Sequence, residues 1–228
     1  RYKKEYMLIP TLARGEWVID HQPKGNIDIT KGHSDRWWWC DALYMAPAVY
    51  SRLYTLTGNK AFMGFADKEF KATYDHLYDK EEKLFYRDAK YFGKKEANGE
   101  KIFWGRGNGW VMGGIAELLK TLPENDKKFR PFYVKLFKEM SNRVAELQGE
   151  DGFWHASMLD PVTYSDPETS STGLFVYSLA YGINQGYLSK DKYLPVVIKG
   201  WKALVASVDT EGKVGWVQPV GQDPKRIE

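Results

Sequence analysis

The sequence predicts an all-α fold of stacked helical hairpins, on three observations. Apolar residues recur at helical spacing in paired segments, the pairs repeat at a fixed period, and short and long connections alternate along the chain. The first pair starts at Asp41, with Leu43, Ala46, Tyr50, Leu53 and Tyr54 at helical spacing; after the short "TGN" turn, Phe62, Phe65, Phe70, Tyr74 and Leu77 do the same. Pro47 sits inside the first of these helices, has no backbone donor, and is expected to kink it. The second pair runs from Trp110 through Ile115, Leu118 and Leu119, turns at "PEND", and returns with Tyr133, Leu136, Met140, Val144 and Leu147. The third uses Phe175, Leu179 and Ile183, turns near Ser189, and returns with Val197, Trp201, Leu204 and Val208.

Corresponding points (Asp41, Asn108 and Thr172) recur at a period of about 66 residues, which marks a repeated supersecondary unit. Turns inside a hairpin are short, while the links between hairpins are long, near 79–108, 148–171 and from 209 onward. Each link carries a Gly or aromatic signature, "KLFYRD", "DGFWHAS" and "EGKVGWVQP", of the kind found in small β-ribbons. This alternation puts every long link on one face of the stack, where ligands are expected. A closed ring of hairpins takes about six of them, or ~400 residues at this period. The 228 residues therefore supply about three to four of the six hairpins of an (α/α)6 toroid, as one domain over 1–228. The end faces of such a partial ring should be unstable alone.

A formal charge of +3, from 33 basic and 30 acidic side chains that are scattered along the chain, argues against nucleic acid as a partner. Apolar runs fall short of membrane-spanning length, and the "RYKKEYMLIPTLARG" start lacks a signal-peptide core, so no membrane partner is expected. The lone cysteine, Cys40, cannot form an internal disulfide or by itself a metal site. It leaves both reducing and oxidising compartments open. The 9 Trp and 15 Tyr are unusual in a chain this polar. They suit packing between helices, or the C–H faces of sugar rings, and position must decide between the two.

Two clusters carry candidate chemistry. In "KGHSDRWWWCDALYMAP", Asp41 opens a helix after Trp37, Trp38 and Trp39. It reads either as an N-cap accepting backbone N–H bonds or as a general acid whose pKa is raised by aromatic desolvation. His33 and Asp35 precede it, as solvated turn residues or substrate contacts. In "FWGRGNGWVMGG", glycines at 105, 107 and 109 alternate with Trp104, Arg106, Asn108 and Trp110. The spacing is wrong for a dinucleotide fingerprint. The glycines are expected to let the backbone bend so that Trp104, Arg106 and Trp110 converge, Arg106 suiting a substrate carboxylate. A Gly-rich helix entry with packing tryptophans is the plainer alternative.

Together "WWWCDALYMAP", "FWGRGNGWVMGG", "DPETSSTGLFVYSLAYGIN" and "GWVQPVGQDP" resemble glycoside hydrolase family 105, the unsaturated rhamnogalacturonyl hydrolases. These motifs span nearly all of the chain in the family's order. The unsaturated glucuronyl hydrolases of family 88 are related in fold and mechanism. The resemblance implies a ring of six hairpins and carries the catalytic aspartate onto Asp41. It places Trp39, Trp104, Arg106, Asn108 and Trp110 around the bound sugar, with His33 a looser match. A histidine common in the family is absent from "LFYRDAKY", where Arg87 and Asp88 stand instead, so contacts at that edge fall to Arg87. A second family aspartate would lie before Arg1, and the closing helices after Glu228.

The implied reaction removes a terminal 4,5-unsaturated uronic acid of unsaturated galacturonyl-rhamnose type from pectic oligosaccharides left by polysaccharide lyases. Asp41 would protonate C4 and then deprotonate the water that adds at C5, and the hemiketal would open to release the neighbouring sugar. The oligosaccharide is the expected partner, and the resemblance implies no cofactor. The compartment stays open between bacterial periplasm and cytoplasm, and the oligomeric state is not legible. Rival readings are a non-catalytic sugar-binding protein of the same fold, a truncated inactive homologue, and a sugar isomerase or epimerase. The last needs a histidine pair, whereas His76 and His155 lie in different repeats.

Overall fold

The computed structural model describes residues 5–221 and 223–225. Three helical hairpins dominate, as the spacing predicts. The first comprises α2 (Ala42–Met45), α3 (Pro47–Thr57) and α4 (Lys60–Leu77). The second is α5 (Gly105–Thr121) with α6 (Arg130–Glu146), and the third α7 (Thr169–Asn184) with α8 (Lys190–Ala206). Pro47 splits the first helix rather than merely bending it. Ala46 leaves ideal helical geometry, with φ −110° and ψ −45°, and Pro47 restarts the helix at its first turn, where a missing N–H is harmless. Gly58 ends α3 in the left-handed region at φ 72°, and the Asn59 side chain accepts from Ala61 N to open α4.

One helix, α1 (Ile9–Asp20), was not expected from the spacing. Its single fully buried residue is Gly15, against Leu53 and Phe62, with Leu12, Val18 and Ile19 half-buried around it at helical spacing.

Helix α5 is the centre of the stack. It packs on α2, α3, α6 and α7, and Val111, Met112, Ile115, Ala116 and Leu118 are fully buried. Helices α4 and α6 are amphipathic and meet through Phe70, which sets its ring edge-on to Tyr133 at 4.9 Å. Burying a side chain such as Phe70 or Phe137 contributes about 1.5–3 kcal/mol each. On α8 only Tyr193, Gly200 and Ala203 are buried. Trp201, expected on the inward face, is instead 59% exposed, because no helix lies beyond α8 among the described residues to cover it.

The long links form short ribbons, as their composition predicts. Strands β1 (Tyr78–Asp79) and β2 (Leu84–Phe85) pair antiparallel, Tyr78 opposite Phe85. Single bridges join Trp104 to Ser157 and Val208 to Val214. These ribbons crowd the end of the stack where α2, α5 and α7 begin. Among the described residues, no helix is long and apolar enough to cross a membrane.

Candidate active site

Asp41 stands just before α2, with its side chain 15% exposed. Of the two readings of Asp41, the cap fails: its side chain makes no capping hydrogen bond to the first turn. The carboxylate faces charge instead. Arg87 Nε lies 3.8 Å from Asp41 Oδ2, and the buried Cys40 Sγ is 3.6 Å from the same oxygen. Burial pushes the Asp41 carboxyl above the ordinary carboxylate range, against the opposing pull of Arg87, its own backbone N–H, Cys40 and Arg106.

Arg106, on the first turn of α5, is 9% exposed and sits over the Trp104 ring at 4.9 Å. Its NH1 donates to the carbonyl of Gln218 at 2.5 Å and its NH2 to that of Pro219 at 2.7 Å. Burial lowers its pKa, while Glu168 and Asp41 raise it; a guanidinium remains cationic regardless. The two charges act on one another, Arg106 drawing the Asp41 pKa down and Asp41 drawing that of Arg106 up.

Three sequence expectations need correction. Asn108 is fully buried and its amide is consumed by backbone: Oδ1 accepts from Phe85 N at 2.8 Å, and Nδ2 donates to the carbonyls of Phe85 and Trp104. It cannot touch a sugar; it pins β2, two residues before Arg87, to the start of α5. Trp104 is 2% exposed, covered by Arg106, and its indole N–H donates to Gln218 Oε1, so its face is not an open platform. The glycines at 105, 107 and 109 do not bend the chain. They lie in α5 and admit close neighbours: a Cβ on Gly107 would meet the Trp104 ring at 2.9 Å, one on Gly105 the His155 carbonyl at 2.6 Å.

Trp39 and Trp110 are partly exposed, Trp39 against Trp38 at 4.9 Å and Trp110 against Tyr44 at 4.7 Å. Arg87 sits against the Trp38 ring at 5.3 Å. His33 is exposed, and no hydrogen bond or ion pair among the described residues ties it to Asp41.

Glu168 was not singled out from the sequence. It is 2% exposed and caps α7, accepting from the backbone N–H of Ser170 and Ser171, and it also accepts from Gln218 N at 3.3 Å. The signal was present: a Pro-Glu pair followed by Thr and Ser residues and an apolar run marks a helix start. Gln218 was likewise unforeseen. Its segment lies more than a hundred residues from Arg106, beyond the reach of any local pattern. Among the described residues, no group of three or more His, Cys, Asp or Glu is placed to hold a metal ion.

Comparison with known proteins bears on the family and the fold. An unsaturated 3S-rhamnoglycuronyl hydrolase of Formosa agariphila is 45% identical over 212 residues, covering 90% of this chain and 56% of that protein. A solved glycosyl hydrolase family 88 structure from Bacteroides vulgatus superposes with a TM-score of 0.82 at 37% identity, over 93% of this chain and 60% of that one. A solved chain described as a polysaccharide lyase superposes with a TM-score of 0.87 at 36% identity, over 99% of this chain and 62% of that one. The chain thus spans a little over half the length of such relatives. The family described as Glycosyl Hydrolase Family 88 matches residues 1–227, and the chain belongs to it.

Proposed function

We propose that the protein removes a terminal 4,5-unsaturated uronic acid from lyase-generated oligosaccharides by hydrating the C4=C5 double bond, with Asp41 as the acid and then the base. The observation that carries this reading is the state of the carboxylates at and near Asp41. Asp41 is partly exposed, uncapped, and raised in pKa by burial. Asp88, 1% exposed, is committed to Arg87 and to Lys90 N, and Glu168 to the start of α7. An uncapped, partly exposed carboxyl with a raised pKa suits vinyl-ether hydration, in which one group first gives a proton to C4 and then takes one from the water adding at C5.

Arg106 contributes a fixed positive field that draws the uronate, since its two terminal nitrogens already donate to backbone. Trp39 and Trp110 offer the partly open indole faces for the ring. The exposed His33 is assigned to the side of the linked sugar. That sugar is proposed to be a rhamnose in a rhamnoglycuronyl unit, in place of the pectic linkage, on the likeness to the Formosa agariphila hydrolase.

The test follows ultraviolet absorbance of the unsaturated uronate in lyase-generated rhamnoglycuronyl and pectic oligosaccharides, with wild type and Asp41→Asn. Absorbance should fall with wild type, faster on the rhamnoglycuronyl substrate, and stay flat with the variant. A rise on saturated polysaccharide would mean elimination, and activity surviving in Asp41→Asn would remove Asp41 from the chemistry.

A further inference from the structure

We infer that Arg87 is a positioning residue for Asp41: clamped from behind by Asp88, it holds Oδ2 of the Asp41 carboxyl by charge alone and leaves the proton-delivering edge free. The inference rests on the hydration reading above.

The geometry has three parts. Arg87 NH1 donates to Asp88 Oδ2 at 2.5 Å, and Asp88 Oδ1 in turn accepts from Lys90 N at 2.8 Å, so the clamp is anchored in backbone. The backbone of the two residues is joined as well, with Cys40 N donating to the Arg87 carbonyl at 2.9 Å, one residue before Asp41. Arg87 is therefore fixed relative to the carboxyl at both its main chain and its fork. Finally, Arg87 Nε is buried without a hydrogen-bond partner among the described residues and stands 3.8 Å from Asp41 Oδ2.

That distance is too long for a hydrogen bond yet close for a charge. While Asp41 is protonated, the buried N–H has little to gain from it. Once the proton has left for C4, the carboxylate can close onto Nε and satisfy it. The contact is stronger after proton transfer than before, which is the condition for lowering a barrier rather than merely binding.

The charges facing Asp41 are Arg87 from the loop after β2, Arg106 from α5, and the Cys40 thiol beside it. Asp88 stands behind Arg87, and Glu168 behind Arg106. Tyr91, hydrogen-bonded to Asp223, flanks Arg87 and Asp88. Of the two cations Arg87 acts on Asp41 more strongly than Arg106 and stands 3.8 Å from Oδ2, so it is the group whose removal the carboxyl should feel most.

The experiment compares wild type, Arg87→Met and Arg87→Lys. The readouts are the pH profile of kcat/KM and the titration of the Asp41 carboxyl by carbon NMR, assigned with Asp41→Asn. Because the acid must be protonated, activity falls as pH rises through its pKa. Removing a neighbouring cation raises that pKa, so Arg87→Met should move the alkaline limb and the NMR titration upward by about one pH unit or more. Its kcat should drop about tenfold, with KM little changed. Arg87→Lys keeps the charge without the fork: its limb should stay near wild type while kcat falls. An Arg87→Met protein whose limb and titration superimpose on wild type overturns the inference, as does Arg87→Lys with full kcat. If wild type turns over no unsaturated substrate, the hydration reading fails on its own, and the NMR titration still decides whether Arg87 governs Asp41.

Discussion

Gly114→Ala tests the packing on which the cleft stands. A Cβ at Gly114 would lie 2.2 Å from the Leu43 carbonyl oxygen and 2.8 Å from both Leu43 C and Tyr44 Cα. All three are backbone atoms of α2, which cannot rotate aside as a side chain would, so α2 and α5 must separate by about 1 Å. Overpacking costs about 1–3 kcal/mol, and a rigid obstacle argues for the upper end. Replacing glycine by alanine inside a helix returns about 1 kcal/mol. The net loss is about 2 kcal/mol, or a fall in Tm of about 4–8 °C for a chain of this size.

The same displacement moves Asp41, two residues before Leu43, and a shift of about 1 Å at a reacting group costs about a hundredfold in rate. Denaturant unfolding and turnover of an unsaturated oligosaccharide measure the two effects. Gly64→Ala in α4, where a Cβ would meet nothing within 4 Å, serves as the control and should be neutral or stabilising. Gly114→Ala with wild-type unfolding midpoint and slope would refute the close approach of α2 and α5, and with it the placement of Asp41.

Two further changes follow from the site. The raised pKa of Asp41 means the folded state favours its protonated form, so its contribution to stability is fully present below the unfolded value near 3.8 and is lost as pH rises through the folded value. Asp41→Asn should therefore raise Tm at neutral pH while abolishing turnover, with the gain vanishing in acid; equal gains at both pH values would contradict the burial of a charged carboxylate. Asn108→Leu removes three hydrogen bonds and takes the side-chain partner from the Phe85 N–H and carbonyl, while the Trp104 carbonyl keeps the backbone N–H of residue 108, a loss of about 2–4 kcal/mol readable by thermal unfolding. A near-neutral result would restore Asn108 as a candidate for substrate contact.

The hairpins were legible because α4 and α6 each bury one stripe against a neighbour, and residues such as Phe62, Phe70, Tyr133 and Val144 print that stripe at helical spacing. Helix α1 is shorter than α4 and α6 and carries its stripe on the half-buried Leu12, Val18 and Ile19 around one buried glycine, a fainter signal in the sequence. Among the candidate residues, Arg87 and Arg106 both act on the Asp41 carboxyl, whereas Asn108 and Trp104 are absorbed into the scaffold. Composition cannot separate a tryptophan that stacks on a sugar from one that lies beneath an arginine. That distinction depends on Gln218, whose side chain holds the Trp104 indole and whose carbonyl holds the Arg106 guanidinium. The glycines of the "GRGNG" run illustrate the same ambiguity, because freedom to bend and room for a neighbour call for the same residue.

The tether from Gln218 and Pro219 to Arg106 also bears on how the cleft comes into being. Its ends are separated by 112 and 113 residues, so the contact closes a long loop and its closure entropy falls on the packing of the hairpins between. A protease nick in the exposed ribbon around Val214 would spare every helix and yet release the carbonyls that aim the guanidinium, leaving a folded protein with a misdirected charge.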